Sequence, residues 1–257
     1  MSDKGISCKL EDHVVILNFG GLSLGRTRIS DVSTELSEIC TEINSDREAR
    51  VAVIFGLEAL ALPVERNAMA GYLLSGEAPA LRFFSLADPV AALECPVVVG
   101  IEGGLTGLAL ESALAGDIRI SSKSARFCMP HVTKGFLPWD GGGQRLSRIA
   151  GKAKAIELIL TGESIDALEA HRVGIVSRIV SPGEVKAAVM DTAHKMAAQG
   201  PIALKYAKEA IVEGLELSLT QGLRLEADLY ALLQTTSDRT EGVEAFRQKT
   251  TPEFKGE

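Results

Sequence analysis

Cys95-Pro96-Val97-Val98-Val99-Gly100-Ile101-Glu102-Gly103-Gly104-Leu105-Thr106-Gly107-Leu108-Ala109-Leu110-Glu111-Ser112-Ala113-Leu114-Ala115-Gly116-Asp117-Ile118-Arg119-Ile120-Ser121 is the stretch that decides the fold. A proline at the entry and three valines in the middle predict a buried strand over residues 95–101. Glycines 103, 104 and 107 then make a loop, Leu108 to Ala115 reads as an alanine-rich apolar helix, and Asp117 to Ser121 returns as a strand. A buried strand beside such a helix belongs to a sheet covered by helices on both faces.

Outward toward the N-terminus the same alternation appears. His13 to Phe19 is rich in β-branched and aromatic residues and predicts a strand. Ile29, Val32, Leu36, Ile39 and Ile43 recur at steps of three and four, one face of an amphipathic helix. Arg50 to Phe55 is then another buried strand. Gly56 to Leu81 shows no period and carries Pro63, Gly71, Gly76 and Pro79, so loop and short helix are expected. Pro89 is expected to interrupt a helical stretch from Leu81 to Leu93.

Toward the C-terminus, Gly141-Gly142-Gly143 opens helices that lead to Thr161-Gly162, and Ile175 to Val180 predicts one more strand. Past Pro182 the strand signals stop. Val185 to Gln199, Pro201 to Gly214, Leu215 to Thr235 and Arg239 to Lys249 read as successive helices, with Pro201 at a favourable first-turn position. The chain therefore divides near residue 195 into an α/β core (1–195) and a helical C-terminal region (196–257). No internal repeat or low-complexity segment is apparent.

Composition narrows the class of function. The 257 residues carry 27 basic and 34 acidic side chains, a formal charge of −7 that argues against a general nucleic-acid binder. With 46% hydrophobic and 24% charged residues the chain is globular, and 5% aromatics make its core aliphatic. Cys8, Cys40, Cys95 and Cys128 are scattered without a C-x-x-C pair and read as reduced thiols. The polar start has neither an apolar signal core nor an Arg-rich leader, and runs such as Val97 to Ile101 are too short to span a bilayer. A cytoplasmic protein without a membrane partner is expected.

Several short motifs fail on context. Gly21-Leu22-Ser23-Leu24-Gly25 matches a nucleophile elbow, yet it follows the first strand rather than topping an established sheet. Glycines 103, 104 and 107 do not fit G-x-G-x-x-G because residue 105 is leucine, and Gly151-Lys152 is followed by Ala153 where a phosphate loop needs Ser or Thr. His13, His131, His171 and His194 lack metal-ligand spacing, so no catalytic metal is expected. Glu111 survives. A carboxylate in an otherwise apolar helix is either a structural group held by hydrogen bonds or an acid/base whose pKa burial raises toward a useful range.

From Cys95 through Gly104, then Gly107 and Glu111 to Asp117-Ile118, the chain resembles the central signature of the enoyl-CoA hydratase/isomerase (crotonase) superfamily. Ala125-Arg126-Phe127, Pro130, Gly135, Pro138, Gly141 to Leu146, Gly151-Lys152, Leu160-Thr161-Gly162 and Gly174-Ile175-Val176 follow in family order. Asp238 to Phe246 and Pro252 to Gly256 are similar to the closing helix. The first 60 residues agree only in pattern. What the resemblance implies is an α/β crotonase-like spiral of ββα units with a C-terminal helical oligomerisation region, a homotrimer or dimer of trimers. Its substrate would be an acyl-CoA thioester, with coenzyme A as part of the substrate and no separate cofactor.

The resemblance also assigns residues. Backbone N–H groups of Leu62, after Ala61, and of Leu108, after Gly107, would form an oxyanion hole for the thioester oxygen. Glu111 takes the first of two glutamate positions used by hydratases. The second is His131, which either transfers protons in place of a carboxylate, fills space, or binds a polar acyl group. Asp140 lies one residue beyond an acyl-facing aspartate of some family members. Pro130-His131 with Pro138-Trp139-Asp140-Gly141 also resembles members that cleave a cyclic β-diketone by a retro-Claisen reaction; alternatively Asp140 is a turn residue. Trp139 either walls the acyl pocket or packs. Phe246 and Lys249 match a C-terminal segment that reaches a neighbouring subunit's CoA, although Lys249 also fits a solvated charge. The family's usual Arg-Pro-x-x-x-Asn-Ala stretch for the adenine end of CoA and its Ala-Gly-x-Asp segment at the first oxyanion donor are replaced here by Gly20 to Arg26 and Ala61 to Glu65. Enoyl-CoA hydration by Glu111 is the leading expectation. A C–C hydrolase, isomerase or decarboxylase using His131 and Asp140, and a non-catalytic acyl-CoA-binding subunit, stand as alternatives.

Overall fold

The computed structural model describes residues 5–22, 29–60 and 84–257. Its main sheet has six strands in the order β1 (Ser7–Glu11), β2 (Val14–Asn18), β3 (Val51–Phe55), β4 (Val97–Ile101), β6 (Ile118–Ser122), β9 (Arg178–Val180). β1 runs antiparallel to β2, and every other pair is parallel. All five residues of β4 are buried, as the valine run predicts.

Alternation along these strands feeds two cores, because successive side chains point to opposite faces. Val15, Leu17, Ala52, Ile54, Val97 and Val99 join the larger core with α1 (Ile29–Ser45) and α3 (Leu108–Leu114). Val14, Val51, Val53, Val98 and Ile120 face the other way, against Val185, Val189, Ala193 and Ala197 of α7 (Val185–Ala197). Residue 195, where the sequence divides the chain, lies in the last turn of α7.

A second sheet was not legible in the sequence. β5 (Leu105–Thr106), β7 (Arg126–Cys128) and β8 (Ser164–Asp166) pair in that order, each too short to show a period. Two other elements differ from expectation. Pro89 does not interrupt a helix: α2 (Ala87–Ala91) begins just ahead of it and places it in the first turn, where its missing N–H costs no hydrogen bond. The strand expected from Ile175 begins only at Arg178. Val176 instead donates to Ala170 O and Ser177 to Arg119 O.

After α4 (Gly142–Ala150), α5 (Lys152–Thr161), α6 (Ala167–Arg172) and α7 come α8 (Pro201–Gly214), α9 (Leu219–Leu233) and α10 (Ser237–Gln248). α9 starts four residues later than predicted, because Leu215 and Leu217 still bond back to Ile211 and Gly214, and Ser218 opens a capping box with Gln221. Lys208 fastens α8 to the core through Asp117 Oδ2 (2.8 Å) and Cys95 O (2.9 Å). Among the described residues no helix is long and apolar enough to cross a membrane.

Candidate active site

The N-terminus of α3 is set by Gly107. With φ +60° and ψ −122° it adopts a backbone that L side chains rarely take, while its N–H donates to Cys128 O of β7 (3.0 Å). Its carbonyl accepts from Glu111 N (3.0 Å), the first turn of the helix. All seven residues of α3 are buried, so the apolar sequence around Glu111 has the consequence it implies: the carboxylate has no exposure to solvent.

Such a group is tolerable only if donors replace water. Glu111 Oε2 accepts from the backbone N–H groups of Asp140 and Gly142, both at 2.8 Å. Gly142 opens α4, where N–H groups lack intrahelical partners and the helix dipole favours an anion. It also has to be glycine for reasons of space, since a Cβ there would stand 2.7 Å from Glu111 Cγ. The other oxygen, Oε1, lies 2.9 Å from His131 Nε2. His131 is 1% exposed and sits just after Pro130, at the mouth of the tight turn Val132–Lys134. Its ring meets that of Trp139 edge to face, centroids 5.6 Å apart and planes at 88°.

Asp140 is buried too, but its side chain turns to α2. Oδ2 accepts from Leu86 N and Ala87 N (2.9 Å each), and Oδ1 accepts from Ser85 Oγ. Ser85 Oγ in turn accepts from Asp88 N at 2.8 Å. Burial pushes the Asp140 carboxyl above its ordinary pKa; the bonds from Ser85, Ala87 and Leu86 oppose this, and the charge of Glu111 adds to it. Arg145 closes the arrangement, donating to Asp140 O (2.9 Å) and to Asp88 Oδ1 (3.1 Å).

Glu111, His131, Trp139 and Asp140 thus come together, with Gly107 and the fully buried Leu108 at the start of the same helix as Glu111. Ala61 and Leu62 lie outside the described residues. Phe246 and Lys249 belong to another part of the chain: Phe246 is 85% exposed on α10, and Lys249 ends that helix in a left-handed conformation. Ser85, Asp88, Gly142 and Arg145 were not singled out from the sequence. The run of three glycines, read as opening helices, is the one signal that could have pointed to the close approach of Gly142 to Glu111. Among the described residues no group of three His, Cys, Asp or Glu side chains could hold a metal ion. A carboxylate and an imidazole in direct contact away from solvent can accept a proton and return it.

Comparison with known proteins agrees with the architecture. The family described as enoyl-CoA hydratase/isomerase matches residues 29–257. The chain is 39% identical over 220 residues to "Probable enoyl-CoA hydratase 2, mitochondrial" of Arabidopsis thaliana, spanning 83% of this chain and 72% of that one. It is 35% identical over 226 residues to "Probable enoyl-CoA hydratase echA8" of Mycobacterium tuberculosis, spanning 88% of each. The crystal structure of an enoyl-CoA hydratase from Bacillus anthracis, 32% identical, superposes with a TM-score of 0.82 over 99% of this chain and 100% of that one.

Proposed function

Since the chain belongs to the enoyl-CoA hydratase/isomerase family, we propose that it acts on an acyl-CoA thioester and adds water to a 2-enoyl-CoA, with Glu111 as acid/base. The observation that carries this reading is the 2.9 Å approach of His131 Nε2 to Glu111 Oε1 between two side chains closed to solvent. In the proposed step the water oxygen bonds to the β-carbon while its proton passes to the Glu111–His131 pair. Electron density moves onto the thioester oxygen, which the N–H groups of Leu62 and Leu108 stabilise. The pair then returns a proton to the α-carbon, so that water is added across the double bond and the pair is regenerated.

His131 takes the place of the second glutamate in this scheme, holding and sharing the proton that Glu111 handles. Asp140 acts through position: its N–H anchors Glu111, and its carboxylate is committed to Ser85, Leu86 and Ala87. That commitment favours hydration over the retro-Claisen alternative, which calls for Asp140 to face the substrate. The proposal includes assembly into a trimer or dimer of trimers through α8 to α10. In such an assembly Phe246 and Lys249 meet the coenzyme A of a neighbouring subunit.

Enoyl-, dienoyl- and β-oxoacyl-CoA thioesters and a cyclic β-diketone, offered to wild type, Glu111→Gln and His131→Ala in deuterated water, test the reading. Hydration with deuterium at the α-carbon in wild type and its loss in Glu111→Gln is the expected result. Hydration that survives in Glu111→Gln, or cleavage of the diketone by a protein that binds no thioester, overturns it.

A further inference from the structure

The Trp139 side chain carries one hydrogen-bond donor, its indole N–H, and among the described residues nothing accepts from it. The Nε1 atom is buried. Buried donors in folded proteins are nearly always paired, so a lone indole N–H asks for an explanation. Its location supplies one. The ring stands edge to face with His131, and the next residue in the chain, Asp140, donates its N–H to Glu111 Oε2. Trp139 is therefore tied at its ring and at its backbone to the two side chains that the proposed reaction uses.

We infer that the Trp139 indole N–H recognises the acyl group, and that the preferred substrate carries an uncharged oxygen acceptor on its acyl chain. The inference rests on the acyl-CoA reading above and specifies the class of thioester. A substrate oxygen would give the buried donor the partner it lacks; a plain alkyl chain would leave it unpaired, which is how a site rejects an analogue missing a polar group. The oxygen is uncharged, that of a ketone, hydroxyl or ester, because the carboxyl groups of Glu111 and Asp140 are already buried in this wall and a third anion would be repelled.

Trp139 is the only tryptophan of the chain, so a ¹⁵N-labelled sample shows a single indole N–H resonance. Hexanoyl-CoA, 4-oxohexanoyl-CoA and 5-oxohexanoyl-CoA, none of which can be hydrated, are titrated against it while calorimetry reports affinity. At least one oxo-thioester is expected to move the indole proton downfield and to bind about tenfold tighter than hexanoyl-CoA. Trp139→Phe keeps a ring and loses the N–H; in it the ratio of the two affinities should fall to near one. That ratio is taken within one variant, so a general loss of binding does not disturb it.

Equal affinities with an unmoved indole resonance overturn the inference, as does a shift equally large with hexanoyl-CoA or a preference that persists in Trp139→Phe. If calorimetry finds no thioester bound at all, the acyl-CoA reading itself fails and this one falls with it.

Discussion

Around Glu111 the chain buries polar and charged atoms and supplies donors for them; along α8 to α10 it leaves large apolar side chains in solvent. The first region satisfies its two carboxylates within one chain, with backbone N–H groups of Leu86, Ala87, Asp140 and Gly142 aimed at them. The second buries Leu229 and Ala245 but exposes Leu215 (81%), Leu219 (79%), Tyr230 (65%) and Phe246 (85%). Exposed apolar area on this scale is what the proposed assembly of copies would cover. The contrast teaches that the carboxylates of the candidate site are satisfied by donors of the same chain, whereas the large apolar side chains of the C-terminal helices are not covered by it.

The largest expected effect is chemical. Glu111→Gln should lower the rate of the proposed hydration on the order of 10² to 10⁴, the usual worth of a positioned acid/base, with little change in particle mass by sedimentation. His131→Ala should cost about 10², at the lower end of the same range, because Glu111 keeps its two backbone donors. Gly142→Ala tests the crowding under the carboxylate: denaturant unfolding should show a loss of about 1–3 kcal/mol. Gly143→Ala, where a new Cβ meets nothing within 4 Å, should show none of that loss.

Asp140→Asn should destabilise by about 1–3 kcal/mol, since one amide oxygen replaces two carboxylate oxygens and an NH₂ is turned toward donors. Its pH signature has a definite sign. The folded pKa of Asp140 is raised by burial, so the folded state keeps its proton after the unfolded chain has lost it. Wild-type stability should therefore fall as pH climbs from the ordinary aspartate range through the raised value, and the variant should lack that part of the slope. Smallest in stability is Leu219→Glu on the exposed face of α9. Its effect on chain stability should stay within about 0.5 kcal/mol, yet sedimentation should show a smaller particle if α8 to α10 form the contact between copies.

How much could be read beforehand depended on length and chemistry. β4, α3 and the Pro201–Gly214 helix were legible because composition and boundary residues mark them: a valine run entered at a proline, an apolar run opened by glycines, and Pro201 at a first turn. β5, β7 and β8 were not, because two or three residues carry no period and their pairing is decided by contacts distant in sequence. Glu111, His131 and Asp140 stood out as residue types, but their bonding did not. The groups that hold Glu111 are main-chain N–H groups, which every residue but proline possesses, and Ser85 reaches Asp140 across 55 positions.

The sheet's second face has a consequence for the newly made chain. Val14, Val51, Val53, Val98 and Ile120 are in place once β6 has been translated at Ser122, but the helix that shelters them ends only at Ala197. At ordinary ribosomal speeds those roughly 75 residues take roughly 4–15 s, during which a valine-rich surface stands open beside an incomplete polypeptide. Slower translation between codons 122 and 197 should therefore raise the insoluble fraction, and a chaperone that binds apolar strands should rescue it.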